Sequence, residues 1–222
     1  MQPVALAFLR QVPLFRRLDE TQLQAIAALA AERQFAKGEL IILAEEEGDA
    51  LFVIQEGQVE VSLVHEDGRG VILSFLGSGE VFGELALLDG KPRSANVVAS
   101  APTILLMLRR ADFLQLLAAM PQIAVSLLEE LAERLRRTDQ QVEGLALFNV
   151  ASRLAKTLLR LALERGTETA EGLALQDQLT HQQLANMTGS TRETVSRVLK
   201  QLEYQGYISR RGQQILILKE GG

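Results

Sequence analysis

Apolar and polar residues change rhythm several times along this 222-residue chain. From about Pro13 to Ala36, apolar residues at Leu18, Leu23, Ile26 and Leu29 follow a helical spacing and predict helix. From Gly38 to Arg109 short runs rich in aliphatic residues take over: Leu40–Leu43, Leu51–Ile54, Val59–Val64, Val71–Phe75, Ser94–Ala99 and Ile104–Leu108. Val59, Val61 and Leu63 alternate with polar neighbours, the period of a half-buried strand. Glycines at 38, 48, 57, 68, 70, 77, 79 and 83 punctuate the runs, so a β-barrel or roll is expected. The acidic run Glu45–Glu47 reads as a solvated loop between strands.

From Ala111 the pattern turns helical and stays so for nearly forty residues, with Pro121 placed to open a long helix. Within it Ala124, Leu128, Leu131, Leu135, Thr138, Val142 and Leu145 recur in alternating steps of four and three. That is a heptad seam, which predicts pairing with a second copy of the same helix. Thr138 is its one polar position, suited either to fixing register or to meeting a polar ligand. A further helix, Val150–Glu164, leads into a polar stretch, Arg165–Gln178, expected as an exposed loop.

Residues Thr180–Gly206 read as two short helices joined by a tight turn. Thr180 with Gln183, and Ser190 with Glu193, fit capping boxes, and Gly189 sits where the turn needs positive φ. In the second helix Val195, Val198, Leu199 and Leu202 form one buried stripe. Arg192, Glu193, Ser196, Arg197 and Lys200 fall on the opposite side. Taken alone, that face is simply the solvated side of an amphipathic helix. With a capped partner helix before it and a hairpin after it (Tyr207–Arg211 and Gln214–Leu218 about Gly212), it reads as a winged helix–turn–helix that contacts DNA.

The net charge of −5 is at first sight wrong for a DNA binder. It is unevenly spread. Residues 149–222 hold ten Lys and Arg against seven Asp and Glu, a balance of +3 that leaves −8 for the rest. The basic end is the DNA-binding end, as phosphate electrostatics requires. The chain contains no cysteine, which excludes disulfides, thiolate zinc sites and a Cys nucleophile. No metal-ligand cluster, paired carboxylates or nucleophile–base set appears, so neither catalytic residues nor a resident cofactor are expected. His65 and His181 read as surface groups. No apolar run is long enough to span a membrane and no secretory leader is evident, so a cytoplasmic protein is expected.

A second motif lies in Phe82–Ala99, FGELALLDGKPRSANVVA. An arginine fixed in a tight loop beside backbone N–H groups can clamp a phosphate, and a nearby glutamate suits a sugar hydroxyl. With this cassette inside a β-roll, the heptad helix after it and the RETVSR helix beyond, the chain resembles the bacterial CRP/FNR family of transcription regulators, its cyclic-AMP-responsive branch in particular. The resemblance covers nearly the whole chain. It implies an α+β architecture: an N-terminal helix and cyclic-nucleotide-binding, jelly-roll-like β-roll over 1–110, a dimerisation helix region over 111–148, and a C-terminal winged helix–turn–helix over 149–222. It implies cyclic AMP as effector, held by Gly83, Glu84, Leu85, Arg93, Ser94 and Ala95, with Thr138 and the partner subunit's Asp139 at the base. It implies that Arg192 and Arg197 read guanines and Glu193 a cytosine of a TGTGA-type palindrome. Thr180, Gln182, Thr191 and Lys200 then lie on phosphates, and His181 is placed to touch one. A homodimer seamed by Leu128, Leu131, Leu135, Val142 and Leu145 is implied, as is contact with RNA polymerase, which Arg165–Gln178 faces in related activators. Cyclic-AMP-binding relatives carry Ser where this chain has Asp139. A constitutive member, or one gated by another effector such as 2-oxoglutarate, therefore stays open. A nucleotide-binding module of an enzyme or channel is the remote alternative, against which the RETVSR helix argues.

Overall fold

A computed structural model describes residues 6–66, 69–175, 179–212 and 214–218. It divides the chain into two compact units, Met1–Arg136 and Arg137–Gly222. The division falls inside the long helix, whereas the apolar pattern sets 111–148 apart as a region of its own.

The first unit begins with α1 (Leu6–Leu9), a 3-10 turn at Pro13–Phe15, and α2 (Glu20–Leu29). A capping box opens α2: the Asp19 side chain accepts the Gln22 N–H, and Gln22 accepts the Asp19 N–H in return. The strands follow: β1 (Ala31–Phe35), β2 (Leu40–Ile42), β3 (Ala50–Glu56), β4 (Gln58–Val64), β5 (Gly70–Gly77) and β6 (Val81–Phe82). After α3 (Glu84–Asp89) come β7 (Asn96–Ala99) and β8 (Thr103–Arg109), then α4 (Arg110–Ala119) and α5, which runs from Pro121 to Leu147. The strands form two antiparallel four-stranded sheets, ordered β1-β8-β3-β6 and β2-β7-β4-β5.

β3 is buried on both faces, and its alternation separates two cores. Phe52 and Ile54 join Ile42, Val59, Phe82 and Val97 between the sheets, with Phe52 and Phe82 stacked at 5.2 Å. Leu51 and Val53 face the other way, where they meet Leu9, Phe15, Leu23, Ile26, Phe113, Ile123 and Leu127 from the helices. Each such side chain stabilises the fold by about 1.5–3 kcal/mol through burial. The first turns of α5 are thereby anchored on the β-roll.

Several sequence expectations are corrected here. Ala31–Phe35 is strand rather than the end of a helix, because it pairs antiparallel with Thr103–Met107 of β8. Ser94 and Ala95 precede the strand, which starts at Asn96. The alternation read in Val59–Leu63 breaks at a register shift between Val61 and Ser62. Val61 pairs with Ser74 and Ser62 with Ile72, so the extra residue there is Leu73 of β5; on β4 Ser62 is buried and Leu63 exposed. Gly68 lies outside the described residues.

The second unit carries the end of α5, then α6 (Val150–Arg165), β9 (Thr167–Glu168), β10 (Gly172–Ala174), α7 (His181–Thr188), α8 (Arg192–Tyr204), β11 (Ile208–Arg211) and β12 (Gln214–Leu218). The strands make one antiparallel sheet, β11-β12-β10-β9. The polar stretch from Arg165 is thus not a plain loop. Leu173 and Ala174 pair with Ile217 and Leu216 as well as with β9, and Leu175 is buried; residues 176–178 lie outside the description. Among the described residues no single helix is long and apolar enough to cross a membrane.

Candidate functional site

In the first unit the cassette is built around a turn. β6 ends at Phe82, and Gly83 takes φ 82°, a left-handed conformation that costs glycine nothing, to start α3. The chain then returns through Gly90 and Pro92 to Arg93. The backbone of Arg93 is pinned to the acidic loop: its N–H donates to Glu46 O at 2.8 Å, and its carbonyl accepts the Glu45 N–H at 2.9 Å. Its guanidinium does not extend into solvent as an ordinary loop arginine does. Arg93 is 7% exposed, with Nη1 donating to Gly83 O and Nη2 to Ala50 O, both at 2.8 Å. Two glycines make the sleeve. A Cβ at Gly48 would stand 2.6 Å from Arg93 Cζ, and one at Gly83 2.6 Å from Nη1. Burial lowers the Arg93 pKa, while Asp49 and Glu84 pull it back up by charge. Among the described residues no carboxylate forms an ion pair with this guanidinium.

Glu84 is also buried, at 3% exposure. Its carboxylate is held by a residue that the sequence reading missed. Arg134, on α5, donates from Nη1 to Glu84 Oε1 at 2.8 Å and from Nη2 to Glu130 Oε1 at 2.6 Å and to Val81 O. Burial raises the Glu130 pKa, and Arg134 acts in the opposite direction. The only trace of Arg134 in the sequence is its place four residues after Glu130, which predicts a local helix pair and says nothing of Glu84, fifty residues earlier.

The structure therefore brings Gly83, Glu84 and Arg93 together around one turn, with Ser94 exposed and Ala95 nearly buried on the bend that follows. Leu85 projects from α3 with 44% exposure. A desolvated cation, a fixed carboxylate and an exposed hydroxyl on one loop can recognise a ligand that joins an anion to hydroxyl groups. Thr138 and Asp139 belong to the second unit, both exposed on α5. Along α5 the seam positions Leu128, Leu135, Val142 and Leu145 are 57–65% exposed, while Leu131 is partly buried against the first core.

In the second unit α7 opens on the expected capping box, with the Thr180 side chain accepting the Gln183 N–H. Gly189 closes it in the left-handed conformation at φ 57°. α8 is capped differently from the sequence expectation. The cap is Thr191, whose side chain accepts from Thr194 N–H, not Ser190 with Glu193. Adjacent hydroxyl residues make this choice invisible to spacing alone. Val195, Val198 and Leu199 are buried as expected. Thr180, Gln182, Thr191, Arg192, Glu193, Arg197 and Lys200 are all exposed. Arg192 and Arg197 stand about 7.5 Å apart along the helix axis, with Glu193 beside them. Arg192 and Arg210 border a cleft with Thr180, His181 and Gln182. Burial, then Arg210 and Arg192, lower the His181 pKa. The wing is tied to α8 by Arg210 Nε donating to Glu203 at 2.9 Å.

Two family models match the chain. That of the cyclic nucleotide-binding domain covers residues 32–120, and that of the Crp-like helix-turn-helix domain covers residues 152–222. A CRP-like cAMP-activated global transcriptional regulator of Mycobacterium tuberculosis is 34% identical over 196 residues, 87% of this chain and 88% of its own. The cyclic AMP receptor protein of Thermus thermophilus is 36% identical over 196 residues, 88% of each. The structure of the c-di-GMP responsive global regulator CLP of Xanthomonas campestris superposes with a TM-score of 0.80 at 24% identity, covering 90% of this chain and 100% of that one, a likeness of fold.

Proposed function

This chain belongs to the CRP family of transcription regulators, DNA-binding proteins with a cyclic nucleotide-binding domain rather than enzymes, and from that premise we propose that it is a cytoplasmic homodimer gated by cyclic AMP. The observation that carries the reading is the buried Arg93 guanidinium, a desolvated cation bonded to two carbonyls and, among the described residues, to no carboxylate. A cyclic phosphate supplies a directly bonded anion, which Asp49 and Glu84, acting on Arg93 by charge alone, do not. Ser94 and the Ala95 N–H cap that phosphate, and Glu84, oriented by Arg134, takes the ribose 2′-hydroxyl at Gly83. Thr138 and the partner's Asp139 meet the adenine. Ligand contacts shared between the roll and both long helices favour one helix–helix arrangement, which is coupling by differential contact. The exposed apolar seam on α5 supports the dimer. The two recognition helices then read a TGTGA-type palindrome and present the complex to RNA polymerase. Calorimetric titration with cyclic AMP and cyclic GMP tests the effector. Tight binding of cyclic AMP supports the reading; binding of neither sinks it. Asp139 favours a second reading, a member gated by a different effector, because it sets an extra carboxylate beside the base.

Two variants probe the assignment. Gly48→Ala forces a Cβ onto Arg93 and swings the guanidinium out of its sleeve. Nucleotide affinity is expected to fall, and the thermal midpoint with it, since the Gly83 and Ala50 carbonyls lose their donor; calorimetry beside a melting curve reads both. Arg192→Ala is expected to cost about 1–3 kcal/mol at one guanine and to relax discrimination at that base pair alone. Competition binding against half-sites altered at single positions reads this out.

A further inference from the structure

We propose that Arg153 is a positioning residue that sets the orientation of the helix–turn–helix on the end of the long helix. Only Phe148 and Asn149 separate α5, ending at Leu147, from α6, starting at Val150. Asn149 is committed to capping α6, its side chain accepting the Ser152 N–H at 2.9 Å. The Phe148 N–H closes the last turn of α5 on Gly144 O at 3.0 Å. So short a connector fixes distance but leaves direction to a few dihedral angles.

Arg153, in the first turn of α6, supplies the rest. Its Nη1 donates to Phe148 O at 2.7 Å, its Nε to Thr188 O at 2.8 Å and its Nη2 to Gly189 O at 3.4 Å. Thr188 is the last residue of α7 and Gly189 its cap; Phe148 directly follows α5. One planar guanidinium thus joins the carbonyl ends of two helices, where partial negative charge collects. Lysine could not replace it, because its three donors radiate from one atom and do not form a fork. Two further contacts bring the same parts together. Lys156 Nζ lies 3.6 Å above the Phe148 ring. Leu145 Cδ2 approaches to 3.0 Å from where a Gly189 Cβ would stand. The turn of the helix–turn–helix is therefore seated on the last turn of α5.

The bonds of Arg153 run between elements. α7 and α8 have their own buried residues, Leu184, Ala185, Val195 and Leu199, to hold them together. Loss of Arg153 is thus expected to leave the DNA-binding unit folded and to loosen its seat. The inference holds whatever effector the β-roll takes, and its test needs neither nucleotide nor DNA.

The chain has no native cysteine, so Gln140→Cys on α5 and Gln201→Cys on α8, both exposed positions, can carry a spin-label pair in the full protein. Diluted with unlabelled protein, pulsed dipolar spectroscopy reads the intrachain distance. The parent protein is expected to give one narrow distance. Arg153→Ala is expected to lose that narrow peak, and Arg153→Lys to recover it only in part. Should Arg153→Ala not fold, Arg153→Gln takes its place in the same measurement. A narrow, unshifted peak in the variant overturns the proposal, including when the melting temperature falls, since that outcome leaves Arg153 a stabilising role only.

Discussion

Arg93→Ala is expected to abolish cyclic nucleotide binding and, with it, any nucleotide dependence of DNA binding. The guanidinium is the only cation of the cassette turn that is both buried and unpaired with a carboxylate among the described residues. A phosphate bound there gains charge-assisted hydrogen bonds away from water, each worth about 1.5–3 kcal/mol. Removing two of them corresponds to a loss of at least roughly 100-fold in affinity. The variant also strands the carbonyls of Gly83 and Ala50, at a cost to the fold of about 1–3 kcal/mol for each that water does not reach. Arg93→Lys separates the two effects, because it keeps the charge and loses the fork. Titration calorimetry on both variants, each beside its melting curve, reads the outcome. An Arg93→Ala protein that binds cyclic AMP as the parent does would remove the clamp from the account.

Leu135→Asp is expected to dissociate the proposed dimer and to collapse affinity for a palindromic site while a half-site still binds weakly. Leu135 is 62% exposed in the single chain, so the substitution leaves the fold of one protomer intact. In a twofold dimer each change occurs twice on one seam. Two lost leucines withdraw about 3–6 kcal/mol of apolar burial, and the paired carboxylates then face a desolvation penalty besides. Sedimentation equilibrium measures the association directly. A variant that stays dimeric would show that the seam Ala124–Leu145 is not the interface.

The large features were legible in the sequence because each has a local physical cause. Gly189 and Thr180 announce the turn and the cap, and both appear as expected. The spacing from Gly83 to Arg93 is fixed by one short helix between two left-handed glycines, Gly83 and Gly90. What was not legible depends on partners far along the chain. Ala31–Phe35 follows directly on a true helix and becomes a strand only because β8, some seventy residues later, pairs with it. Leu173 and Ala174 sit in polar surroundings and are drawn into a sheet by β12. Ser62 is buried and Leu63 exposed where the β4–β5 register skips Leu73, an irregularity of the partner strand that the alternation in Val59–Leu63 does not carry. Arg134 was invisible for the same reason, since its bond to Glu84 is made by the fold.

On the proposed reading, a cyclic nucleotide in the roll governs DNA binding by the recognition helices. The most direct test is the affinity of the full chain for a TGTGA-type palindrome, measured at fixed salt with and without cyclic AMP. Cyclic AMP is expected to tighten binding by about 5- to 150-fold, the usual range of allosteric coupling. Binding to that palindrome with equal affinity in both conditions would contradict that reading.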